Sequence, residues 1–286
     1  MAVAIVIALL VLGSILFHIL SPWWQTPLAS NWSSIDNALV ITMWICAVAF
    51  VALNLFMAWS IWRFRHRAGN VAHYEPENAV LEKRLTLWTG IGIAAMLAPG
   101  LIAWNEYVTV PDDAAIVEVT GQQWQWGFRF PGADGVLGTA DTASITPENP
   151  FGINLRDPYG RDDVLVESSE LRLPIDKPVK MVLRSKDVLH DFYVPQFRAK
   201  MDLVPGIVTY FWVTPTRTGT FDILCAELCG TGHHMMRGTV VVERQADFDA
   251  WLADQSTFGE YLAAADAGGA RLALADRPVP AARGTR

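Results

Sequence analysis

The first third of the chain alternates long apolar runs with short polar segments. Residues 1–35 contain no Asp, Glu, Lys or Arg, and two further uncharged runs follow at Asn37–Trp62 and Leu85–Asn105. A bilayer crossing takes about 20 apolar residues, so the two later runs predict a transmembrane helical hairpin over residues 36–107. Buried core helices of a soluble protein are the alternative, and runs of this length argue against them.

The fate of Ala2–Leu20 is open at this point. Such an apolar segment is typical either of a first membrane helix or of the apolar region of a signal peptide. Signal peptides usually begin with basic residues, and none are present here, which favours a retained helix. Ala29 is a candidate cleavage point, so residues 1–35 are assigned as a first helix or signal segment followed by an external linker.

Basic residues predict the orientation of the hairpin. The loop 63–84 holds five of them, none precede it, and the next one is Arg129. Loops rich in Lys and Arg stay on the cytoplasmic side of a membrane. The loop is therefore predicted to be cytoplasmic, and everything after Tyr107 is predicted to be external.

Beyond Pro111 the pattern changes to short apolar runs separated by turn residues. These runs are Ala115–Thr120, Trp124–Phe130, Val164–Glu167, Val179–Arg184, Ile207–Thr214, Thr220–Leu224 and Gly238–Glu243. Short strands at this spacing are typical of a β-sandwich or a Greek-key barrel. We therefore predict transmembrane helices, two or three in number, followed by an external all-β domain over residues 111–252.

Two segments around this domain are less regular. Residues 131–163 form an insert rich in Gly, Asp and Asn, and the oxygens of 134–163 are of the kind that Ca²⁺ binds. Turns closed by Asp and Asn side chains explain the same composition and are favoured. Phe248–Tyr261 is typical of one short surface helix, and the tail within 253–286 is predicted to be disordered from Ala263 onward.

Composition fits a membrane protein and narrows the range of partners. Hydrophobic residues make up 52% of the chain and charged residues 18%, and the mean hydropathy is +0.25. This is more apolar than an ordinary soluble domain. The net charge of −7 argues against nucleic acid and favours a basic partner.

One short stretch concentrates the soft metal ligands of the chain. Two thiols, two imidazoles and two thioethers lie within twelve residues, Cys225-Ala-Glu-Leu-Cys229-Gly-Thr-Gly-His233-His234-Met235-Met236. Copper prefers such ligands, whereas calcium and magnesium prefer oxygen. The spacing differs from that of structural zinc sites, and a second cysteine pair for zinc is missing. A disulfide between the two cysteines is the alternative in an external domain.

This stretch resembles the binuclear copper (CuA) loop of cytochrome c oxidase subunit II, whose pattern is Cys-Ser-Glu-x-Cys-Gly-x-x-His-x-x-Met. Ala226 replaces the serine. The family's upstream histidine is matched by Asp187-Val-Leu-His190, and its aromatic block by Gln123-Trp-Gln-Trp126. The resemblance runs in order from about Asn37 to Trp251, and it implies a cupredoxin-like barrel for the external domain.

The resemblance also implies a ligand set for two copper ions. Both thiolates would bridge the metals, with one histidine on each ion and two weak ligands, a thioether and a backbone carbonyl. The residues concerned are His190, Cys225, Cys229, His233 and Met236, with the carbonyl of Glu227. The carboxylate of Glu227 would bind Mg²⁺ at the junction with subunit I. His234 and Met235 are assigned packing roles, or for His234 a position facing the oxidase core.

Two further roles are implied. Trp124 matches the surface tryptophan through which cytochrome c delivers its electron, although a packed strand aromatic is the alternative and is favoured for Trp126. Gln125 departs from the family's tyrosine, which leaves the local path open. Glu82 would lie at the cytoplasmic mouth of a proton path, but Leu85 replaces the family's tryptophan, and a helix N-terminal acid explains Glu82 equally well.

Acids near the site would steer a basic cytochrome c. The candidates are Glu118, Asp187 and Asp191, although single surface acids commonly serve solubility alone.

The expected function is that of subunit II of a haem–copper cytochrome c oxidase in a bacterial plasma membrane. Its partners would be subunit I, cytochrome c and the lipid bilayer. Three alternatives are kept: the corresponding subunit of a nitric oxide reductase, a quinol-oxidase subunit, which would lack the cysteines, and a membrane-bound copper carrier. A mitochondrial oxidase fits the same sequence.

Overall fold

The computed structural model describes residues 1–21, 25–71 and 74–267. The chain divides into two compact units. A helical unit comprises Met1–Val110 together with Gln196–Arg198, and a β unit comprises Pro111–Pro195 and the chain from Ala199 onward.

Within its described residues, the first unit contains three helices: α1 (Ala2–Leu20), α2 (Ser33–Arg63) and α3 (Ala79–Val108). All three are long and apolar enough to cross a membrane, which confirms the prediction. Most of their large apolar side chains are exposed in the isolated chain, as expected of surfaces that face lipid. Helices α2 and α3 extend beyond the predicted runs at both ends, so the connection between them is shorter than the predicted loop 63–84.

Helix α3 begins with a capping side chain. The Oδ1 of Asn78 accepts a hydrogen bond from the backbone N–H of Leu81 at 3.0 Å, which satisfies one amide that the first turn leaves without a partner. Glu82 lies in that first turn, where the helix dipole favours an acid. The predicted uncharged run began only at Leu85 because three charged residues, Glu82, Lys83 and Arg84, precede it.

The β unit contains two five-stranded sheets. The first has the order β3-β2-β1-β5-β8 and the second the order β4-β10-β9-β6-β7. The strands are β1 (Ala115–Gln122), β2 (Gln125–Phe130), β3 (Val164–Val166), β4 (Glu170–Pro174), β5 (Val179–Ser185), β6 (His190–Val194), β7 (Ala199–Leu203), β8 (Thr209–Val213), β9 (Gly219–Cys225) and β10 (Arg237–Glu243). Each sheet has one parallel pair, β1 with β5 and β4 with β10, and the other pairs are antiparallel. The predicted all-β, cupredoxin-like domain is confirmed.

Alternating side chains form the core of this unit. In β5 every second residue is buried, as expected of a strand with one face on a core. The buried set includes Leu171, Phe192 and Phe211, each with no exposed surface. A hydrophobic core of this kind fixes strand register, because a slip of one residue would turn the apolar face outward.

Seven strands were predicted, and three more exist: β4, β6 and β7. Their sequences mix charged and apolar residues, so no clean apolar run marks them. In β6 and β7 the charges meet across the pair, since the Lys200 ammonium lies 2.8 Å from the Asp191 carboxylate. An ion pair between neighbouring strands stabilises charged residues that would be unfavourable in a single strand.

The end of the chain differs from the prediction of a single helix over Phe248–Tyr261, which is wrong. Two helices are present, α4 (Gln245–Ala253) and α5 (Phe258–Ala267). The carboxylate of Glu260 accepts a hydrogen bond from the N–H of Thr257 and so caps the second helix. Because α5 continues to Ala267, the predicted disorder from Ala263 does not hold there. The remaining tail lies outside the described residues.

Helix α5 is held in place by the insert 131–163. Phe151 and Ile153 of the insert form a small core with Leu165 of β3 and Phe258 of α5. The backbone supports this packing, since the N–H of Phe258 donates to the carbonyl of Asp163 at 2.8 Å. The insert and helix α5 therefore pack against each other on the β unit.

Side-chain turns account for the acidic composition of the insert. Four side chains each accept a hydrogen bond from the backbone amide two residues further on: Asp134, Asp141, Asn154 and Asp157. This is the turn chemistry predicted from the sequence. Because these oxygens already have partners, the calcium alternative gains no support and stays untested.

A buried charge network anchors the insert to the first sheet. Arg129 of β2 is 1% exposed and lies between Glu118, also 1% exposed, and Asp163, which has no exposed surface. Its Nη2 is 2.8 Å from Glu118, and its Nη1 contacts Asp163 and donates to the carbonyl of Gly138. Arg184 completes the network at 2.8 Å from Glu118. Two arginines thus face two buried carboxylates.

Candidate metal centre

The ligand-rich loop connects β9 to β10 and closes on itself. The N–H of Cys225, the last residue of β9, donates to the carbonyl of Met236, which precedes β10. A turn of 3₁₀ helix at His233–Met235 then folds the loop back. The two strands are antiparallel neighbours, so both ends of the loop are fixed at the same edge of the sheet.

The predicted ligand atoms converge on one point. The Sγ atoms of Cys225 and Cys229 are 3.7 Å apart, and they form with His190 a group whose ligand atoms all lie within 4.8 Å of one another. The Nδ1 of His233 is 3.6 Å and the Sδ of Met236 is 3.8 Å from the Sγ of Cys229. The loop and β6 together therefore collect thiols, imidazoles and a thioether.

A disulfide does not link the two cysteines. Their separation far exceeds the S–S bond length of about 2.05 Å, and both are free thiols. The Sγ of Cys225 donates instead to the carbonyl of Glu227 at 3.2 Å, so this carbonyl also points at the cluster. All six predicted residues are thus brought together, while their roles as ligands remain a prediction.

The two thiols differ in acidity. Burial alone would raise the pKa of Cys225, but hydrogen bonds from His190 and from backbone groups lower it to about 6. Burial, together with the neighbouring Cys225, raises the pKa of Cys229 to about 11. The thiol of Cys225 is therefore largely ionised near neutral pH, in the thiolate form that binds metals. Ionising Cys229 as well would need a cation beside the two sulfurs.

Asp187 fixes the orientation of His190. Its Oδ1 accepts a hydrogen bond from the Nε2 of His190 at 2.8 Å, which leaves Nδ1 directed at the Sγ of Cys225, 4.0 Å away. Its Oδ2 accepts from the backbone N–H of Gln123 at 2.7 Å. Burial would raise the pKa of Asp187, but these hydrogen bonds hold it below the ordinary value. A carboxylate behind a ligand histidine sets the tautomer that the metal needs.

Replacing Asp187 by alanine is expected to weaken copper binding by about 10- to 100-fold, the range typical of lost partners behind metal ligands. Competition with a copper chelator of known affinity measures this. Asp222→Ala is the matched control, because Asp222 is an exposed acid on β9, the strand that carries Cys225. Equal affinities for the Asp187 variant and the unaltered chain would show that His190 needs no such partner.

The two tryptophans of the aromatic block have different surroundings. Trp124 is 38% exposed and Trp126 only 1%. The ring of Trp126 lies edge-on to the rings of His190 and Phe192, with centroids 6.4 and 5.4 Å away. Packing in the core, predicted for Trp126, is confirmed, and Trp124 is the tryptophan that a partner can reach.

Some predictions near the site are wrong. Glu118 and Asp191 are 1% and 0% exposed, and both lie in ion pairs, so neither can steer a partner from the surface. His234 and Met235 are exposed, so they do not pack within this chain as predicted. Sequence reasoning also missed the role of Asp187, although its position three residues before His190 was a signal.

Three membrane-length helices and a two-sheet β domain with a buried thiol–imidazole cluster define a class, the membrane-anchored cupredoxin-like proteins with a copper-type site. Residues 115–244 match the family described as cytochrome c oxidase subunit II, periplasmic domain. An alternative cytochrome c oxidase subunit 2 of Bradyrhizobium diazoefficiens is 60% identical, over 90% of this chain and 93% of that protein.

More distant relatives extend the comparison. The cytochrome c oxidase subunit 2 of Cereibacter sphaeroides is 28% identical, over 82% of this chain and 79% of its own length. A crystal structure of the periplasmic domain of subunit II of a cytochrome oxidase of Bradyrhizobium japonicum is similar at 25% identity and a TM-score of 0.37, covering 51% of this chain and 95% of that one. On the match to the Bradyrhizobium diazoefficiens protein, the chain belongs to the cytochrome c oxidase subunit 2 family, and it is a membrane protein with an external domain.

Proposed function

We propose that this chain is the electron-accepting subunit of a haem–copper cytochrome c oxidase. It would take electrons from cytochrome c and pass them to the haems of subunit I, where oxygen is reduced and protons are pumped. The observation that carries the proposal is the convergence of two thiols, two imidazoles and a thioether at the end of the β unit. A chain of this family with such a cluster is suited to electron transfer.

The residues present fit a pair of copper ions. Soft and borderline donors surround the site, and two of the predicted side-chain ligands are 0% and 1% exposed, His190 and Met236. Both thiols lie within reach of one point, as bridging ligands must. Copper ions held there would share one electron between them and change little on reduction. The chain's own part is to hold Cys225 and Cys229 at a fixed separation and to keep water away.

Other residues have proposed roles around this centre. Trp124, the exposed tryptophan, would receive the electron from cytochrome c. Glu227 is half-buried, and its carboxylate would hold Mg²⁺ together with subunit I. Glu82 would open a proton path at the cytoplasmic side. Its position in the first turn of α3 fits that role and fits a dipole-stabilising acid equally well.

The proposed location is the plasma membrane of a bacterium, with the β unit on the periplasmic side. The basic residues between α2 and α3 would stay in the cytoplasm. Subunit I, cytochrome c and the lipid bilayer are the proposed partners. A nitric oxide reductase subunit would share the same centre, and the haems that co-purify with the chain distinguish it. A copper carrier is disfavoured by the spacing of Cys225 and Cys229, which suits two thiolates that bridge a pair of metal ions.

Electron paramagnetic resonance of the purified full-length chain in detergent, after copper addition, tests the centre. One electron shared by two equivalent copper nuclei gives a seven-line hyperfine pattern, and copper analysis should find two ions per chain. A four-line pattern from a single copper would mean that the two cysteines do not bridge. The chain would then be a copper carrier or another kind of copper protein.

A further inference from the structure

Two glycines of the ligand-rich loop Cys225–Met236 lie against the indole ring of Trp124. A β-carbon on Gly232 would lie 2.3, 2.6 and 2.8 Å from Cδ2, Cε3 and Cε2 of that ring, closer than such atoms ever approach. A β-carbon on Gly230 would lie 2.9 Å from the side-chain nitrogen of Gln123 and 3.3 Å from Cζ2 of the ring. The indole therefore occupies the space that side chains on this backbone would take.

The two glycines are required for different reasons. Gly230 has a φ of +122°, a conformation that only glycine adopts readily. Gly232 has φ −88° and ψ 8°, which other residues adopt in turns. Alanine at position 232 is therefore acceptable to the backbone, and its one obstacle is the ring of Trp124. The absence of a side chain at position 232 therefore leaves room for that ring.

We infer that Gly232 is a positioning residue for electron uptake. It lets the exposed indole of Trp124 touch the backbone between two predicted ligands, Cys229 and His233. This inference rests on the proposed function and adds a residue to it. Close contact matters because electron transfer between two fixed groups slows as the distance between them grows.

A methyl group added at position 232 should displace the indole of Trp124 rather than the loop. The N–H of His233 donates to the carbonyl of Gly230, and the N–H of Met235 to that of Gly232. The carbonyl of Cys229 accepts from the side chain of Gln123 at 2.7 Å. Bound metal would fix the loop further, whereas Trp124 is 38% exposed and can turn towards solvent. Gly232→Ala should then separate the ring from the centre and leave the ligands in place.

Stopped-flow reduction of the copper-loaded, full-length chain in detergent tests this inference. Reduced cytochrome c is one donor, and a small ruthenium(II) ammine complex that needs no docking surface is the other. Gly232→Ala is expected to slow reduction by cytochrome c several-fold, because the displaced ring lies farther from the centre. Reduction by the small complex and the seven-line spectrum should stay unchanged. Thr231→Ala, a change at the exposed neighbour in the same loop, is the matched control and should behave as the unaltered chain.

A double substitution separates the ring contact from a general role in loop structure. Trp124→Ala removes the obstacle. Adding Gly232→Ala to that variant should therefore slow its reduction by cytochrome c no further, and it should leave copper loading intact. Reduction of the single Gly232 variant at the normal rate would overturn the inference, as would an equal loss of copper with and without the indole. If the unaltered chain forms the centre but takes no electron from cytochrome c, the proposed function itself is wrong.

Discussion

Replacing Cys229 by serine is expected to abolish the seven-line signal of the copper-loaded chain and all oxidation of cytochrome c by the assembled oxidase. Cys229 is 3% exposed and its Sγ lies near both Nδ1 of His233 and Sδ of Met236. A hydroxyl is a much poorer ligand for copper than a thiolate. Without the second bridge, the two metals could not share one electron.

Three comparisons make this result specific. Cys225→Ser should have the same effect, because the proposed bridge needs both thiols. Cys46→Ser is the matched control, since Cys46 is an exposed residue of helix α2 and should change neither the spectrum nor turnover. A Cys225 and Cys229 double variant that still oxidised cytochrome c at the normal rate would refute the proposed centre.

Arg129→Met is expected to lower the free energy of unfolding by about 3–5 kcal/mol, the usual effect of removing one partner from a buried ion pair. The substitution leaves Glu118 and Asp163 buried without the cation between them, and Arg184 contacts only Glu118. A domain commonly has only about 5–15 kcal/mol of stability in total. Denaturant titration of the copper-free chain in detergent, followed by tryptophan fluorescence, measures the loss.

A surface arginine and a pH series sharpen that measurement. Arg244→Met is the matched control, because Arg244 is 80% exposed and pairs with Asp247, 48% exposed, so its loss should cost about 0.2–1 kcal/mol. Burial, against the pull of Arg129, raises the pKa of Asp163 to about 6. Below that pH Asp163 is neutral and needs Arg129 less, so the deficit should shrink from pH 7 to pH 5. Equal losses for the two arginines would mean that the buried network is not what stabilises the fold.

Structure could be predicted from the sequence where a single local pattern was sufficient. Uninterrupted apolar runs predicted α2 and α3, and the resemblance of Cys225–Met236 to the CuA loop predicted which side chains would converge. Strand β6 escaped prediction because its charge, Asp191, is satisfied only by Lys200 on the next strand. Such compensation depends on which strands become neighbours, and no local pattern encodes it.

The same limit explains what was missed around the metal centre. Glu118 was taken for a surface acid because its partner Arg129 is distant in sequence, and burial follows only from the β1–β2 pairing. The proposed role of Gly232 depends on where the indole of Trp124 lies, which requires the turn between β1 and β2 to meet the loop Cys225–Met236. Local chemistry could be predicted from the residues, whereas contacts between distant segments needed the fold.

The division of the predicted ligands between two parts of the chain would make metal loading depend on correct folding. His190 comes from β6, whereas the other predicted ligands lie at the end of β9 and in the loop after it. These two strands pair through Phe192 with Cys225 and Tyr193 with Leu224. A chain that has not formed this pairing offers only part of the ligand set. Because binding to the folded state alone stabilises that state, copper would accumulate only in correctly folded chains. The metal would thus mark which subunits are fit for assembly.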